Sequence, residues 1–167
     1  MVKNYFFKNK KFKIDGQIFI FPISSIKDYL NGFKFYELTE RKLIKKYVSI
    51  DEKILELGAN VGVISCISNS LIKLKTNHVV VEPNPKLLKY LTNNKKINSS
   101  GYKIENKIIS ENSKVIDFYI EPENSHGSSI ISREDRTTNK IQIECITLEA
   151  LKKKYKINFN VLIMDIE

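Results

Sequence analysis

Residues 53–83 constrain the fold more than any other part of the chain. They begin with the apolar run KILELG, continue with ANVGVISCISNSLIKL, whose apolar residues recur at helical spacing, and end with the β-branched run HVVVEP. A strand that ends in glycine, a helix and a second strand form a βαβ unit, and such units build parallel sheets. The sequence therefore predicts an α/β fold with a mostly parallel, Rossmann-like sheet and helices on both faces.

An amphipathic helix is predicted ahead of this unit. The segment YELTERKLIKKY places its apolar residues on one helical face, and that face is expected to pack on the sheet. The residues of this face are Leu38, Leu43, Ile44 and Tyr47.

Later segments continue the alternation of helices and strands. Pro85 is expected to start a helix at its first turn, and Thr147 is expected to cap LEALKKKY. The segment FNVLIMDIE predicts a last buried strand. Residues 1–35 are interpreted as a β-hairpin extension with a turn at Asp15-Gly16, and residues 36–167 as the main domain.

Charge and cysteine usage exclude several classes of protein. The net charge is +9, but nearly all of the 28 basic residues are lysines spread along the chain, which weakens a nucleic-acid interpretation because arginine suits phosphate and base contacts best. Cys66 and Cys145 stand in apolar runs without metal-ligand spacing, so no metal site is predicted. No signal peptide or membrane span is recognisable, and a soluble, cytoplasmic protein is expected.

Acidic residues at the ends of the first two strands of the βαβ unit indicate a ribose-containing ligand. Glu56 precedes the glycine turn at Gly58, and Gly62 opens the following helix, whose N-terminal N–H groups suit a ligand. Glu82 ends the second strand, where an acid can accept hydrogen bonds from both ribose hydroxyls. Asn60 replaces the second glycine of a pyrophosphate-binding loop, so a cofactor without phosphates, such as S-adenosylmethionine, fits better than NAD.

Four short motifs in this order resemble the FkbM family of S-adenosylmethionine-dependent methyltransferases. They are GANVG at 58–62, EPNP at 82–85, TLE at 147–149 and DIE at 165–167. The resemblance implies that Asn84 joins the cofactor site and that a methyl group is transferred to an oxygen of a sugar or small metabolite.

The sequence departs from the family pattern in two places. Glu149 stands where the family usually has Asp, and the chain stops at Glu167, where the family continues with glycine and further strands. The C-terminal strands are therefore expected to be missing, and a partner chain is expected to cover the exposed edge of the sheet.

Three residues are candidates for catalysis. Asp165, at the end of the last strand, is the best candidate for the base that takes a proton from an acceptor hydroxyl, and Glu167 points to the same side. His126, in the polar loop NSHGSSI, is a third candidate, because a histidine side chain can act as an acid or a base near neutral pH. Two alternatives stay open: a non-catalytic S-adenosylmethionine-binding module and, less favoured, a basic nucleic-acid-binding domain.

Overall fold

The computed structural model describes residues 11–22, 36–121, 128–131 and 138–166. Helices and strands alternate as the sequence predicts from the first helix to the third, and four consecutive strands then precede the fourth helix. The elements are β1 (Lys11–Ile14), β2 (Gln17–Ile20), α1 (Leu38–Tyr47), β3 (Ile54–Leu57), α2 (Val63–Leu71), β4 (His78–Val81), α3 (Leu88–Ile97), β5 (Lys103–Glu105), β6 (Ile108–Ile109), β7 (Val115–Ile120), β8 (Asn139–Ile146), α4 (Leu148–Tyr155) and β9 (Val161–Met164).

A four-stranded parallel sheet in the order β5-β4-β3-β9 forms the centre of the fold. The chain passes from β3 to β4 and β5 on one side and returns to place β9 on the other side of β3. The strand order therefore reverses between β3 and β9, and open α/β sheets bind ligands beyond the carboxyl ends of their strands at such a point.

Both faces of this sheet are covered, as predicted. Val80 packs in a cluster with residues of α2, α3 and the β1–β2 hairpin. Val79 and Val81 point to the opposite face and pack with Leu151 of α4. A near-continuous β-branched strand such as β4 suits this position because both of its faces are buried.

Three strands between β5 and α4 form a separate sheet in the order β6-β8-β7, in which β7 and β8 are antiparallel. Its own small core contains Phe118, Ile120 and Ile143. The sequence predicts strands here but does not show that they leave the parallel sheet.

The β1–β2 hairpin confirms the predicted turn, because Asp15 and Gly16 have φ values of 50° and 84°. Asn94 of α3 and Asn98, the residue after its end, hold the hairpin: each side chain accepts from and donates to the backbone of β2, at Ile20 and Ile18 respectively. The hairpin thus contributes to the same core as the sheet. The division of the chain at residue 35 stays a prediction, and residues 1–10 and 23–35 lie outside the described residues.

The prediction of which residues form the apolar face of α1 is partly wrong. Ile44 is buried as expected, but Leu43 and Tyr47 are 49% and 65% exposed, and Arg41 is buried instead. The reason is the hairpin, since Asp15 Oδ1 lies 2.9 Å from Arg41 Nη1 and supplies the charge partner that burial requires.

Two predicted helix starts have different outcomes. Thr147 caps α4 as predicted, with its Oγ1 accepting from Ala150 N at 3.0 Å. Pro85 does not start α3, which begins at Leu88. Residues 84–87 form a separate turn, in which Asn84 Oδ1 accepts from Lys86 N at 3.0 Å.

The strand β9 pairs with β3 along one edge and with no strand of the described residues along the other. Leu162, Met164 and Ile166 are about 60% exposed on one side of it. The partner chain expected at this edge stays a prediction, which sedimentation of the chain at rising concentration would test. Within the described ranges, no helix has the length and apolar character needed to cross a membrane.

Candidate functional site

A cavity of about 410 Å³ opens at the carboxyl edge of the parallel sheet. This volume lies within the range of ligand pockets, about 300 to 1,000 Å³. Residues of both sheets line it: Leu57, Gly58, Asn60, Val81, Glu82, Pro83, Asn84, Leu87, Lys107, Ile108, Ile109, Phe118, Ser128, Ile130, Asp165 and Ile166.

The floor of the cavity is the turn that follows β3. Gly58 has a φ of 85°, and a Cβ at this position would lie 1.9 Å from the carbonyl oxygen of Asp165. Asp165 N donates to Leu57 O at 3.0 Å, which fixes the end of β9 against this turn. Only glycine lets the two chain segments approach this closely, and the approach brings Asp165 to the cavity.

The Glu82 carboxylate is held in place by two backbone donors. Asn60 N donates to Oε2 at 2.7 Å, and Asn84 N donates to Oε1 at 2.8 Å. Glu82 is 5% exposed, and burial raises its pKa to about 7, although both hydrogen bonds act in the opposite direction. Each carboxylate oxygen has a second lone pair, so Glu82 can also accept from two ligand hydroxyls.

Two asparagines shape the wall beside Glu82. Asn60 adopts the left-handed conformation, with a φ of 49°, which asparagine tolerates better than most residues. Asn84 Nδ2 lies 3.2 Å from Ser128 Oγ and so connects the EPNP segment to the polar loop NSHGSSI. Asn106 Nδ2 donates to the carbonyls of Glu82 and Pro83 at 2.8 Å, which fixes the backbone that precedes Asn84.

The opposite part of the cavity is apolar. Ile108 and Ile109 come from β6, Phe118 comes from β7, and Ile130 is the last residue of the polar loop NSHGSSI. A planar, weakly polar group such as a nucleobase would bury its faces between these side chains. A carboxylate that suits a ribose and an apolar slot that suits a base therefore lie in one cavity.

Two of the predicted cofactor residues lie elsewhere. Glu56 is buried beneath the cavity, where Ser65 Oγ donates to Oε1 at 2.6 Å and His78 Nε2 lies 3.0 Å from Oε2. Gly62 starts α2 with a φ of 87°, and a Cβ there would collide with Leu91 and Tyr102 of the core. Neither residue is part of the cavity wall.

Four of the six predicted cofactor residues do line the cavity: Gly58, Asn60, Glu82 and Asn84. Asp165 is the predicted catalytic residue that the structure brings to them. His126 and Glu167 lie outside the described residues.

Sequence reasoning did not nominate the apolar residues of the cavity. Ile108 and Ile109 follow β5, where a cofactor contact is expected from position in the fold, but their residue types carry no distinctive signal. Phe118 and Ile130 enter through the second sheet and its loop, whose placement the sequence pattern does not reveal.

These features define an α/β protein with a nucleoside-type cofactor site at the switch point of a parallel sheet. The family model described as "Methyltransferase FkbM domain" matches residues 56–167, more than half of the chain. The chain belongs to the FkbM methyltransferase family, whose cofactor is S-adenosylmethionine. No curated protein sequence matches it.

Three solved structures are similar to part of this fold. A Pyrococcus horikoshii protein assigned as a transferase is 18% identical, with a TM-score of 0.41, and the alignment covers 58% of this chain and 35% of that one. M. jannaschii TYW2 in complex with AdoMet is 19% identical, with a TM-score of 0.41, and the alignment covers 58% of this chain and 43% of that one. The M. jannaschii tRNA m1G37 methyltransferase is 19% identical, with a TM-score of 0.38, and the alignment covers 59% of this chain and 30% of that one. The chain therefore spans less than half the length of each, and its family membership rests on the family match alone.

Proposed function

We propose that this chain forms the cofactor-binding part of an S-adenosylmethionine-dependent methyltransferase that methylates a hydroxyl group of a sugar or small metabolite. One observation carries the proposal: Gly58, Glu82 and Asp165, which come from three different strand ends, meet at one cavity. The family match supports the cofactor, and the hydroxyl acceptor follows from the resemblance and from Asp165.

The Glu82 end of the cavity would hold the nucleoside. Its carboxylate is oriented by Asn60 N and Asn84 N, so it can accept from both ribose hydroxyls without moving. The base would lie in the apolar slot that Ile109 and Phe118 help to form. This arrangement orients the ligand along the edge of the sheet, toward Asp165.

Asp165 is suited to assist the transfer. S-adenosylmethionine supplies an electrophilic methyl group when bound. Asp165 lies at the end of β9 on the cavity wall and is otherwise exposed, so an acceptor can approach it from solvent. Its carboxylate would accept the proton that the acceptor hydroxyl loses as its oxygen forms the new bond to carbon.

Calorimetric titration of the chain with S-adenosylmethionine tests the proposal. We expect micromolar binding that Glu82→Ala weakens at least tenfold, because the variant removes the acceptor for both ribose hydroxyls. Glu149→Ala is the matched control, since Glu149 is an exposed glutamate of α4 whose side chain is 78% accessible. A folded chain that binds no S-adenosylmethionine would refute the proposal, and binding without methylation of any hydroxylated acceptor would favour the non-catalytic alternative.

A further inference from the structure

Glu37, just before α1, is a half-buried acid that the site described above does not use. Its Oε2 atom is enclosed by protein and makes no hydrogen bond within the described part of the chain. The residue also adopts the left-handed backbone conformation, with a φ of 46°. A buried carboxylate oxygen without a donor costs free energy, and strained backbone persists where the surrounding structure enforces it.

The topology places Glu37 at the carboxyl edge of the sheet. The segment that follows α1 leads directly into β3, and Ile50 in this segment accepts from Lys73 N at 2.6 Å, beyond the end of α2. The end of α1 therefore lies at the amino edge. The helix packs along α2 and is ten residues, or about 15 Å, long, so its start lies at the opposite edge, where Gly58 and Asp165 meet.

Carboxylates surround Glu37 in this region. Burial raises the pKa of Glu37 to about 8, and although the Tyr36 hydroxyl lowers it, the negative charges of Glu56, Asp165 and Glu40 raise it further. Glu56 already has a partner on each oxygen, whereas Asp165 borders the cavity. Within the described ranges, no three such side chains stand close enough to bind a metal ion. This local charge suits an organic cation that extends out of the cavity.

We infer that Glu37 binds the α-ammonium group of the amino-acid end of S-adenosylmethionine, together with Asp165. The inference rests on the proposed function. An ammonium group supplies the donor that Glu37 Oε2 lacks and compensates the negative charge around it. The two ends of the ligand would thus be held by two acids, Glu82 at the ribose and Glu37 at the ammonium.

A pair of ligands tests this assignment. S-adenosylhomocysteine carries the amino-acid end, whereas 5′-methylthioadenosine keeps the adenosine and sulfur but lacks that end. We expect Glu37→Gln to weaken S-adenosylhomocysteine binding about tenfold and to leave 5′-methylthioadenosine binding unchanged. Glu82→Gln should weaken the binding of both ligands. Glu149→Gln removes the same charge from the exposed face of α4 and should change neither.

Two results would overturn the inference while leaving the proposed function intact. One is unchanged S-adenosylhomocysteine binding by Glu37→Gln, and the other is equal weakening of both ligands, which would indicate that Glu37 only supports the fold. If the wild-type chain is folded by circular dichroism but binds neither ligand, the proposed function itself fails, and this inference fails with it.

Discussion

Glu56 and Glu82 are alike in sequence, because each stands near the carboxyl end of a strand, yet the structure uses them differently. Glu56 is paired with Val80 in the register of β3 and β4, so it lies inside the ladder and its carboxylate enters the core. Glu82 follows Val81, the last residue of the ladder, and lines the cavity. Along the strand direction Glu82 lies two residues, or about 6.6 Å, beyond the position of Glu56. This distance decides whether the carboxylate lies in the core or faces a ligand.

The two acids also differ in their hydrogen-bond donors. Glu56 takes its donors from the side chains of Ser65 and His78, which are buried with it. Glu82 takes its donors from the backbone at Asn60 and Asn84, beside open space. Side-chain partners tie Glu56 to the stability of the core, whereas backbone donors orient Glu82 and leave lone pairs for a ligand.

Truncation of the two acids should show the largest difference. We expect Glu56→Ala to lower the free energy of unfolding by about 3 to 5 kcal/mol, because it leaves His78 and Ser65 buried without their partner. Glu82→Ala should cost about 1 kcal/mol, since water in the cavity can replace the carboxylate at the two N–H groups. Urea denaturation measures both values, and equal losses would remove the distinction between the two acids.

The second-largest expected effect is the pH dependence of stability that results from the raised pKa of Glu82. Its pKa is raised from 4.5 to about 7 in the folded chain by burial, so the folded state holds a proton that the unfolded state releases first as pH rises. The contribution of Glu82 to the stability of the ligand-free chain should therefore be largest below pH 4.5 and should fall as pH rises through 7. For Glu82 alone the loss is at most about 3 kcal/mol.

Denaturation at several pH values from about 5 to about 8 measures this slope. Glu37, with its pKa raised by burial to about 8, adds to the slope in the same direction. Glu82→Gln should flatten the slope but not abolish it, and the variant with both residues changed to Gln should flatten it further. A slope that Glu82→Gln leaves unchanged would contradict the raised pKa of Glu82.

A pair of serines provides the smallest test. Ser65→Ala removes a donor to buried Glu56 and should lower stability by about 1 to 2 kcal/mol, with little change in cofactor affinity. Ser128→Ala removes the contact with Asn84 Nδ2 at the cavity wall and should change stability by less than about 0.5 kcal/mol, while weakening affinity slightly. Thermal melts measure the change in stability, and the calorimetric titration measures the change in affinity. If Ser65→Ala mainly weakened affinity and Ser128→Ala mainly lowered stability, the roles assigned to Glu56 and Glu82 would be reversed.

The amino-acid sequence was enough to predict the parallel α/β architecture, the cofactor class and five residues of the cavity, namely Gly58, Asn60, Glu82, Asn84 and Asp165. These rest on local signals: β-branched runs for buried strands, glycine where the backbone must turn closely, and short motifs around Gly58 and Glu82. The same local reasoning located the cap at Thr147 and the hairpin turn at Asp15-Gly16.

Long-range contacts fix which acids face the cavity and which residues complete it. The register between β3 and β4 buries Glu56, and the return of β9 beside β3 brings Asp165 to Gly58. The second sheet supplies Phe118 across the cavity. Each of these facts depends on contacts between residues far apart in the chain, because strands that are distant in sequence become neighbours only when the whole sheet forms.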